Sequence, residues 1–324
     1  MKMSVFNDRW ELKEPFVTSK ESIDHIETIT VCLGGDGPCG RGEALGVDYH
    51  GEDAASMRAQ LEDVREAVES GLSQEQAQAL LPPGGARNAL DCAMWDLQAR
   101  QSGQRVHEML DIPFNPVVTA YTLSLDRPDR MAQEAVAYAA FPLLKLKLNE
   151  NEIVDSLEAI RTARPDASLV IDANCAWSVQ TLDQVADDLV RLNISMVEQP
   201  LPPEADHALE GLEYPVTLCA DESCQTMKDM ETVAARYDMA NIKLDKSGGL
   251  TEAMKMVNWC RENNIELMVG NMLGSSLAMA PGILVAQFCT FVDLDGPLWQ
   301  TSDRKSALNY DGAVVQPPDP ALWG

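Results

Sequence analysis

The chain is written in two patterns. From Val5 to about Gly46 apolar and polar residues alternate in the strand period, most clearly over Ile26 to Leu33, and the glycines at 34, 35, 37 and 40 predict a hairpin turn. Helical spacing follows, with apolar residues three and four apart over Asp53 to Ser70 and Ala86 to Arg100, the second run opening after the breaker Pro82-Pro83-Gly84-Gly85. Strands followed by helices predict an α+β module of about a hundred residues.

After Pro116 short strands and helices alternate strictly. Strands read at Val117 to Leu123, Leu143 to Leu148, Ser168 to Asn174, Ser195 to Glu198, Val216 to Asp221, Ala240 to Asp245, Glu266 to Gly270 and Thr290 to Asp295. Helices read between them at Glu152 to Ala163, Thr181 to Leu192, Thr226 to Arg236, Leu250 to Asn263 and Ser275 to Gln287. This is an α/β pattern that predicts a closed (β/α)8-type barrel, and the absence of a GxGxxG fingerprint argues against an open nucleotide-binding sheet. The expected division is a capping domain over residues 1–115, a barrel over 116–297 and a segment 298–324 that packs back on the cap.

Composition narrows the partners. A formal net charge of −26 repels nucleic acid and anionic membrane alike. The longest apolar run, Leu277 to Phe288, is broken by Pro281 and Gly282 and is too short to span a bilayer. Residues Met1 to Lys13 hold no apolar core with a cleavage site, and the eight cysteines form no CxxC pair, so a cytoplasmic protein with reduced thiols is expected. Cys92, Cys219, Cys260 and Cys289 fall inside apolar patterns as small core residues.

Charges interrupt the apolar strands at one recurrent place. Lys147, Asp172, Glu198, Asp221 and Lys243 follow one another at intervals of 25, 26, 23 and 22 residues, each at the end of a predicted strand, and Asp293 and Asp295 come two intervals later. About 25 residues is the length of one strand, one helix and two loops, and barrel active sites form at the carboxyl ends of strands. In Leu144-Lys145-Leu146-Lys147-Leu148 the period of two puts both lysines on one face. An exposed edge strand would show the same pattern in isolation. The same phase turns Asn241, Lys243 and Asp245 into the barrel mouth, making Lys243 rather than Lys246 the interior lysine, and pairs Asp293 with Asp295 inside.

Three carboxylates converging in one mouth need a cation between them. Asp172, Glu198 and Asp221 form an all-oxygen set that suits Mg²⁺, with Mn²⁺ also fitting and zinc disfavoured without His or Cys. Helix capping explains any one of them but poorly explains all three. Lys147 and Lys243 then face each other across four strands, an arrangement for an α-carbon held between two amines. A lysine base needs its pKa moved from about 10.4 to about 7.5, roughly 4 kcal/mol, and Lys145 and a bound dication push in that direction.

Lys145-Leu146-Lys147, Asp172-Ala173-Asn174, Glu198-Gln199-Pro200, Ala220-Asp221-Glu222-Ser223 and Asn241-Ile242-Lys243 resemble the enolase superfamily, muconate-lactonising subgroup, along the whole chain. Asp293-Leu294-Asp295-Gly296-Pro297 resembles the dipeptide epimerases, and Gly85 to Arg100 with Asn241 to Ala253 is similar to the bacterial L-Ala-D/L-Glu epimerases. The resemblance implies a modified (β/α)7β barrel and a Mg²⁺-dependent 1,1-proton transfer through a metal-stabilised enediolate, with Lys147 and Lys243 as the two bases. It further implies Lys145 at the substrate carboxylate, Thr122 beside the dipeptide, and Asp293 and Asp295 at its terminal ammonium. A small-molecule dipeptide is then the partner, with room for a homo-oligomer, and murein peptide recycling is the family's best-known setting. Where Glu-selective members carry an arginine, this chain has Thr18-Ser19-Lys20-Glu21, so Lys20 could meet a carboxylate and Glu21 a cation.

Relatives with the same lysines synthesise o-succinylbenzoate, lactonise muconate or racemise N-acyl amino acids, but those substrates carry no free ammonium for Asp293 and Asp295. Histidine-based branches need a base on the seventh strand, where this chain has Gly270-Asn271. A non-catalytic metal-binding scaffold would have no use for both interior lysines.

Overall fold

The computed structural model describes residues 1–35 and 37–324; Asp36, inside the predicted Gly34 to Gly40 turn, lies outside the described residues. The chain opens with an antiparallel sheet of β1 (Lys2–Val17), β2 (Ser22–Gly34) and β3 (Gly40–Leu45). Alternation buries Ile29, Val31 and Leu33 against Ala86, Ala89, Leu90 and Ala93 of the long helix α1 (Gly85–Ser102). Gly40 and Gly42 permit that contact, since a Cβ on either would collide with the α1 backbone at Leu97 and Ala89. The cysteine expectation needs one correction: Cys32 and Cys39 are bonded across this sheet's turn, Cα atoms 6.3 Å apart, whereas Cys92, Cys219, Cys224 and Cys260 are buried free thiols.

The second sheet is the predicted barrel. Its eight parallel strands, β4 (Tyr121–Leu123), β5 (Leu143–Lys147), β6 (Ser168–Asp172), β7 (Ile194–Glu198), β8 (Thr217–Ala220), β9 (Met239–Ile242), β10 (Glu266–Val269) and β11 (Phe291–Val292), lie side by side in sequence order. The sheet curls until its edges meet, with Ala120 N–H donating to Val292 O at 2.7 Å and Leu294 N–H to Thr119 Oγ1 at 2.9 Å. Outward residues such as Leu144, Leu146, Ile171 and Val197 join one large core with the surrounding helices. Inward residues form a smaller apolar ring of Ala120, Leu143, Val170, Met196, Cys219, Met239 and Met268.

Several predicted elements come out shorter. Val117–Val118 leaves the barrel to pair with the tail strand β13 (Val314–Val315), itself paired with β12 (Tyr310–Asp311). The predicted helix over Ser275 to Gln287 splits into Ser276–Met279 and Gly282–Ala286 at Pro281, which has no N–H to continue the ladder. The strand predicted over Ala240 to Asp245 stops at Ile242, and α2 (Leu244–Ser247) starts at once, followed by α3 (Leu250–Asn263). The tail folds over the first sheet: Leu12 bridges Gln300, and Arg304 reaches Asp8 at 2.7 Å and buried Glu43 at 2.5 Å.

Candidate functional site

Strand period and strand end together build the site. Two residues beyond the apolar ring, the same inward phase carries Lys145 and Lys147 on β5, Asp172 on β6, Glu198 on β7 and Asn241 on β9, with Asp221 and Lys243 at the next step past β8 and β9. All are buried, and ion pairs knit them together. Lys145 Nζ lies 3.1 Å from Asp172, 2.8 Å from Glu198 and 2.9 Å from Asp293. Lys147 bonds Asp172 at 2.7 Å, and Lys243 bonds Asp221 at 2.7 Å. The two lysines thus enter from separate walls and hold different carboxylates.

Two expectations about the sixth strand are corrected. Because β9 ends at Ile242 and a helical turn follows, the strand phase lapses after Lys243. Asp245 points away from the mouth and accepts from Asn88 Nδ2 at 3.0 Å and Leu45 N–H at 3.2 Å. Lys246 turns inward instead and is fully buried, donating to Asp221 Oδ1 and Asp221 O, each at 2.5 Å, and to Asn241 O at 3.1 Å. Sequence reasoning missed it; the i to i+3 spacing from Lys243 on a helical turn is the signal that would have found it.

The seventh strand end is left open for Lys243. A Cβ on Gly270 would come within 3.0 Å of Asn241 and of Lys243 Cε. A lysine reaching in from β9 and a bulky base on β10 therefore exclude each other. The last strand, expected to run to Asp295, stops at Val292; just past it Asp293 accepts from Lys145, and Asp295 accepts from Thr122 N–H at 2.8 Å and from Trp299 Nε1 at 3.3 Å. Asp293 Oδ1 is buried with no donor, a free acceptor at the cavity wall.

A cavity of about 330 Å³ lies over the cluster, bounded by Thr122, Lys145, Lys147, Lys243, Asp293 and Asp295 below and by residues of the first sheet and its loops above. Lys20 and Glu21 both line it. Lys20 is bound, however, with its ammonium 2.8 Å from Glu222 of the barrel. His25 also reaches the cavity, from β2 rather than from a barrel strand.

Charge balance sets the protonation states. Four ammoniums (Lys145, Lys147, Lys243, Lys246) oppose four carboxylates (Asp172, Glu198, Asp221, Asp293). Burial disfavours the Lys243 ammonium, but Asp221 outweighs burial and the pKa stands above its ordinary value. Lys145 behaves likewise under Asp293, Glu198 and Asp172. Lys243 thus stands opposite to the lowered state a base requires. Burial also acts against the Asp172 and Asp221 carboxylates, yet the neighbouring lysines hold both below the usual carboxylate range. Glu198, buried and facing Asp172, is pushed up to about 7.

The acidic residues fit a metal. One oxygen from each of Asp172, Glu198 and Asp221 lies within 4.8 Å of the others. Glu198 Oε2 is buried without a hydrogen bond, Lys145 being 2.8 Å away but outside a bonding direction. An all-oxygen donor set with one oxygen free of any hydrogen bond suits a hard cation.

Known proteins match this chain over nearly its full length. Residues 1–111 match the mandelate racemase / muconate lactonizing enzyme N-terminal domain, and residues 129–320 the enolase C-terminal domain-like family. The chain is 41% identical to an L-Ala-D/L-Glu epimerase of Escherichia coli K12, over 95% of this chain and 97% of that one. It is 43% identical to an N-acetyl-D-glutamate racemase of a Pseudoalteromonas species, over 75% and 78% respectively. An enolase family member from Agrobacterium tumefaciens, solved with sodium and L-Ala-L-Glu, superposes with a TM-score of 0.96 at 40% identity and covers 99% of both chains.

Proposed function

From the premise that this chain belongs to the enolase superfamily, in its mandelate racemase and muconate-lactonising branch, we propose that it is a dipeptide epimerase inverting the α-carbon of the C-terminal residue. It is an isomerase. The observation that carries the reaction is the pair Lys147 and Lys243, buried on separate walls of one cavity and each in contact with a different carboxylate of the acidic triad.

One lysine, as the amine, takes the α-proton from one face, and the electron pair left behind delocalises into the substrate carboxylate. The other, as the ammonium, returns a proton to the opposite face. After one turnover the two lysines have exchanged protonation states and stand ready for the reverse inversion. Lys145 holds its charge at the substrate carboxylate. Asp172, Glu198 and Asp221 would hold Mg²⁺, whose charge binds that carboxylate and, added to an already balanced cluster, favours the amine form of a neighbouring lysine.

Asp293 and Asp295 supply the reason for a dipeptide. The free Asp293 Oδ1 and the neighbouring Asp295, pushed up to about 7 by burial and by Asp293, make a carboxyl pair that gains by receiving an ammonium. An N-acyl glutamate lacks that ammonium; the Pseudoalteromonas relative keeps it as the second reading. No described helix is long and apolar enough to cross a membrane. Cytoplasmic work on peptides released from murein agrees with such a substrate.

The deciding experiment incubates protein and Mg²⁺ with a dipeptide set including L-Ala-L-Glu, and separately with N-acetyl-L-glutamate, in D₂O. Deuterium gain at the α-carbon with inversion of a dipeptide is the expected result. Exchange of N-acetylglutamate alone would establish the second reading, and no exchange in any substrate would sink both.

A further inference from the structure

We propose that Gln199 is a positioning residue that sets the three carboxylates in register as a cation site, a role that rests on the metal-dependent reading above. Gln199 follows Glu198 directly and is completely buried, with φ +35° in the left-handed region that non-glycine residues avoid. Its amide compensates that conformation by lying within hydrogen-bond distance of five partners. Oε1 accepts from Asp221 N–H at 2.8 Å and Ser223 N–H at 3.0 Å. Nε2 has two N–H to share among three acceptors, Leu201 O at 2.7 Å, Ser223 Oγ at 2.8 Å and Tyr237 OH at 3.0 Å.

The backbone of the same residue reaches the third carboxylate. Gln199 O accepts from Cys175 N–H at 2.9 Å, in the turn that leaves Asp172, and Gln199 N–H donates to Cys219 O at 2.8 Å, two residues before Asp221. One residue therefore touches the segments that carry all three carboxylates, without touching the carboxylates themselves. Its outer end is anchored in turn. Asp206, buried and bound to Arg236 at 2.6 Å, accepts from Ser223 Oγ at 2.5 Å and Tyr237 OH at 3.0 Å, so both hydroxyls are oriented to receive the Gln199 amide. These residues wall a second cavity of about 210 Å³ behind Glu222.

A glutamine needed only for folding would affect melting. A residue that sets the register must affect cation affinity in a protein that is still folded, because spacing the carboxylates correctly is work that the ion otherwise performs on binding. Gln199→Met removes every hydrogen bond of the side-chain amide at nearly constant volume. Gln199→Asn keeps the amide chemistry but is one methylene too short to span from its backbone to Asp221 N–H.

Mg²⁺ titrated by calorimetry into the wild-type protein and both variants, with melting and circular dichroism on the same samples, is the test. We expect at least tenfold weaker Mg²⁺ binding in each variant that folds, and a fall in kcat at saturating Mg²⁺ larger than the change in KM for the dipeptide. If Gln199→Met does not fold, Gln199→Asn decides. Mg²⁺ affinity within twofold of wild type in a folded variant overturns the positioning role. A wild-type protein that binds no Mg²⁺ overturns the metal-dependent reading and this role with it, so the two failures are told apart.

Discussion

The barrel interior holds two rings of side chains a single strand period apart. Ala120, Leu143, Val170, Met196, Cys219, Met239 and Met268 make the lower ring; two residues on, along or just past the same strands, stand Thr122, Lys145, Asp172, Glu198, Asp221, Asn241 and Gly270. Backbone, phase and burial are shared between them. What differs is that the lower ring satisfies itself by packing, while the upper ring must satisfy every charge with a partner from another strand. Burial alone therefore says nothing about which ring is chemical. The fully buried Lys145 and the fully buried Met196 occupy neighbouring levels of one barrel.

The comparison breaks most sharply at the two proposed bases. Lys147→Ala and Lys243→Ala should each lower epimerisation by about 10³-fold or more, the upper part of the range for general acid–base groups. Each variant should still exchange the α-proton of the one epimer whose proton faces the surviving lysine, read by NMR in D₂O. Robust inversion by either variant would end the two-base assignment.

Next comes Lys246→Met, which leaves Asp221 without two of its buried bonds. Breaking a buried pair from one side costs about 3–5 kcal/mol, to be measured by urea denaturation. A change under about 1 kcal/mol would show that solvent reaches this ammonium after all.

Met268→Ala opens a hole in the lower ring and should cost about 2–4 kcal/mol of stability while kcat stays within a few-fold. A large loss of kcat there would mean the rings are mechanically coupled rather than merely stacked.

The smallest effect concerns Asp245, outside both rings, whose carboxyl is pushed up to about 7 by burial although Asn88 bonds it. Its pKa is higher folded than unfolded, so the native state binds more protons between about pH 4 and 7 and stability falls as pH rises through that window. Asp245→Asn keeps the acceptor for Asn88 Nδ2 and Leu45 N–H without the buried charge. It should raise Tm at pH 8 by a few degrees and Tm at pH 5 by clearly less; equal shifts at both would refute the linkage.

The barrel and most of its upper ring were legible because each charge ends an apolar strand at a nearly constant interval, and the period of two then fixes the face. Lys145, Lys147, Asp172, Glu198, Asp221 and Lys243 all follow from that rule, and the structure gathers them into one cluster. The rule failed one residue past Lys243. A strand ending at Ile242 rather than Asp245 exchanges the facing of Asp245 and Lys246, and strand ends are set by what packs on them, here Asn88 and Leu45 of the first module. Lys20 lines the cavity, but its contact with Glu222 was not legible, because that partner lies far along the chain.

By itself the sequence determined which residues are inward as far as the strands run, how far apart the charges recur, and that their chemistry is carboxylate and amine rather than histidine or thiol. Local periodicity carries that information, because the backbone repeats are fixed by covalent geometry. Which carboxylate faces which lysine, which acceptor on Asp293 stays open, and how one glutamine ties three strand ends together were decided only when the sheet closed. Those pairings join side chains from different strands, and no local period encodes the distance between them.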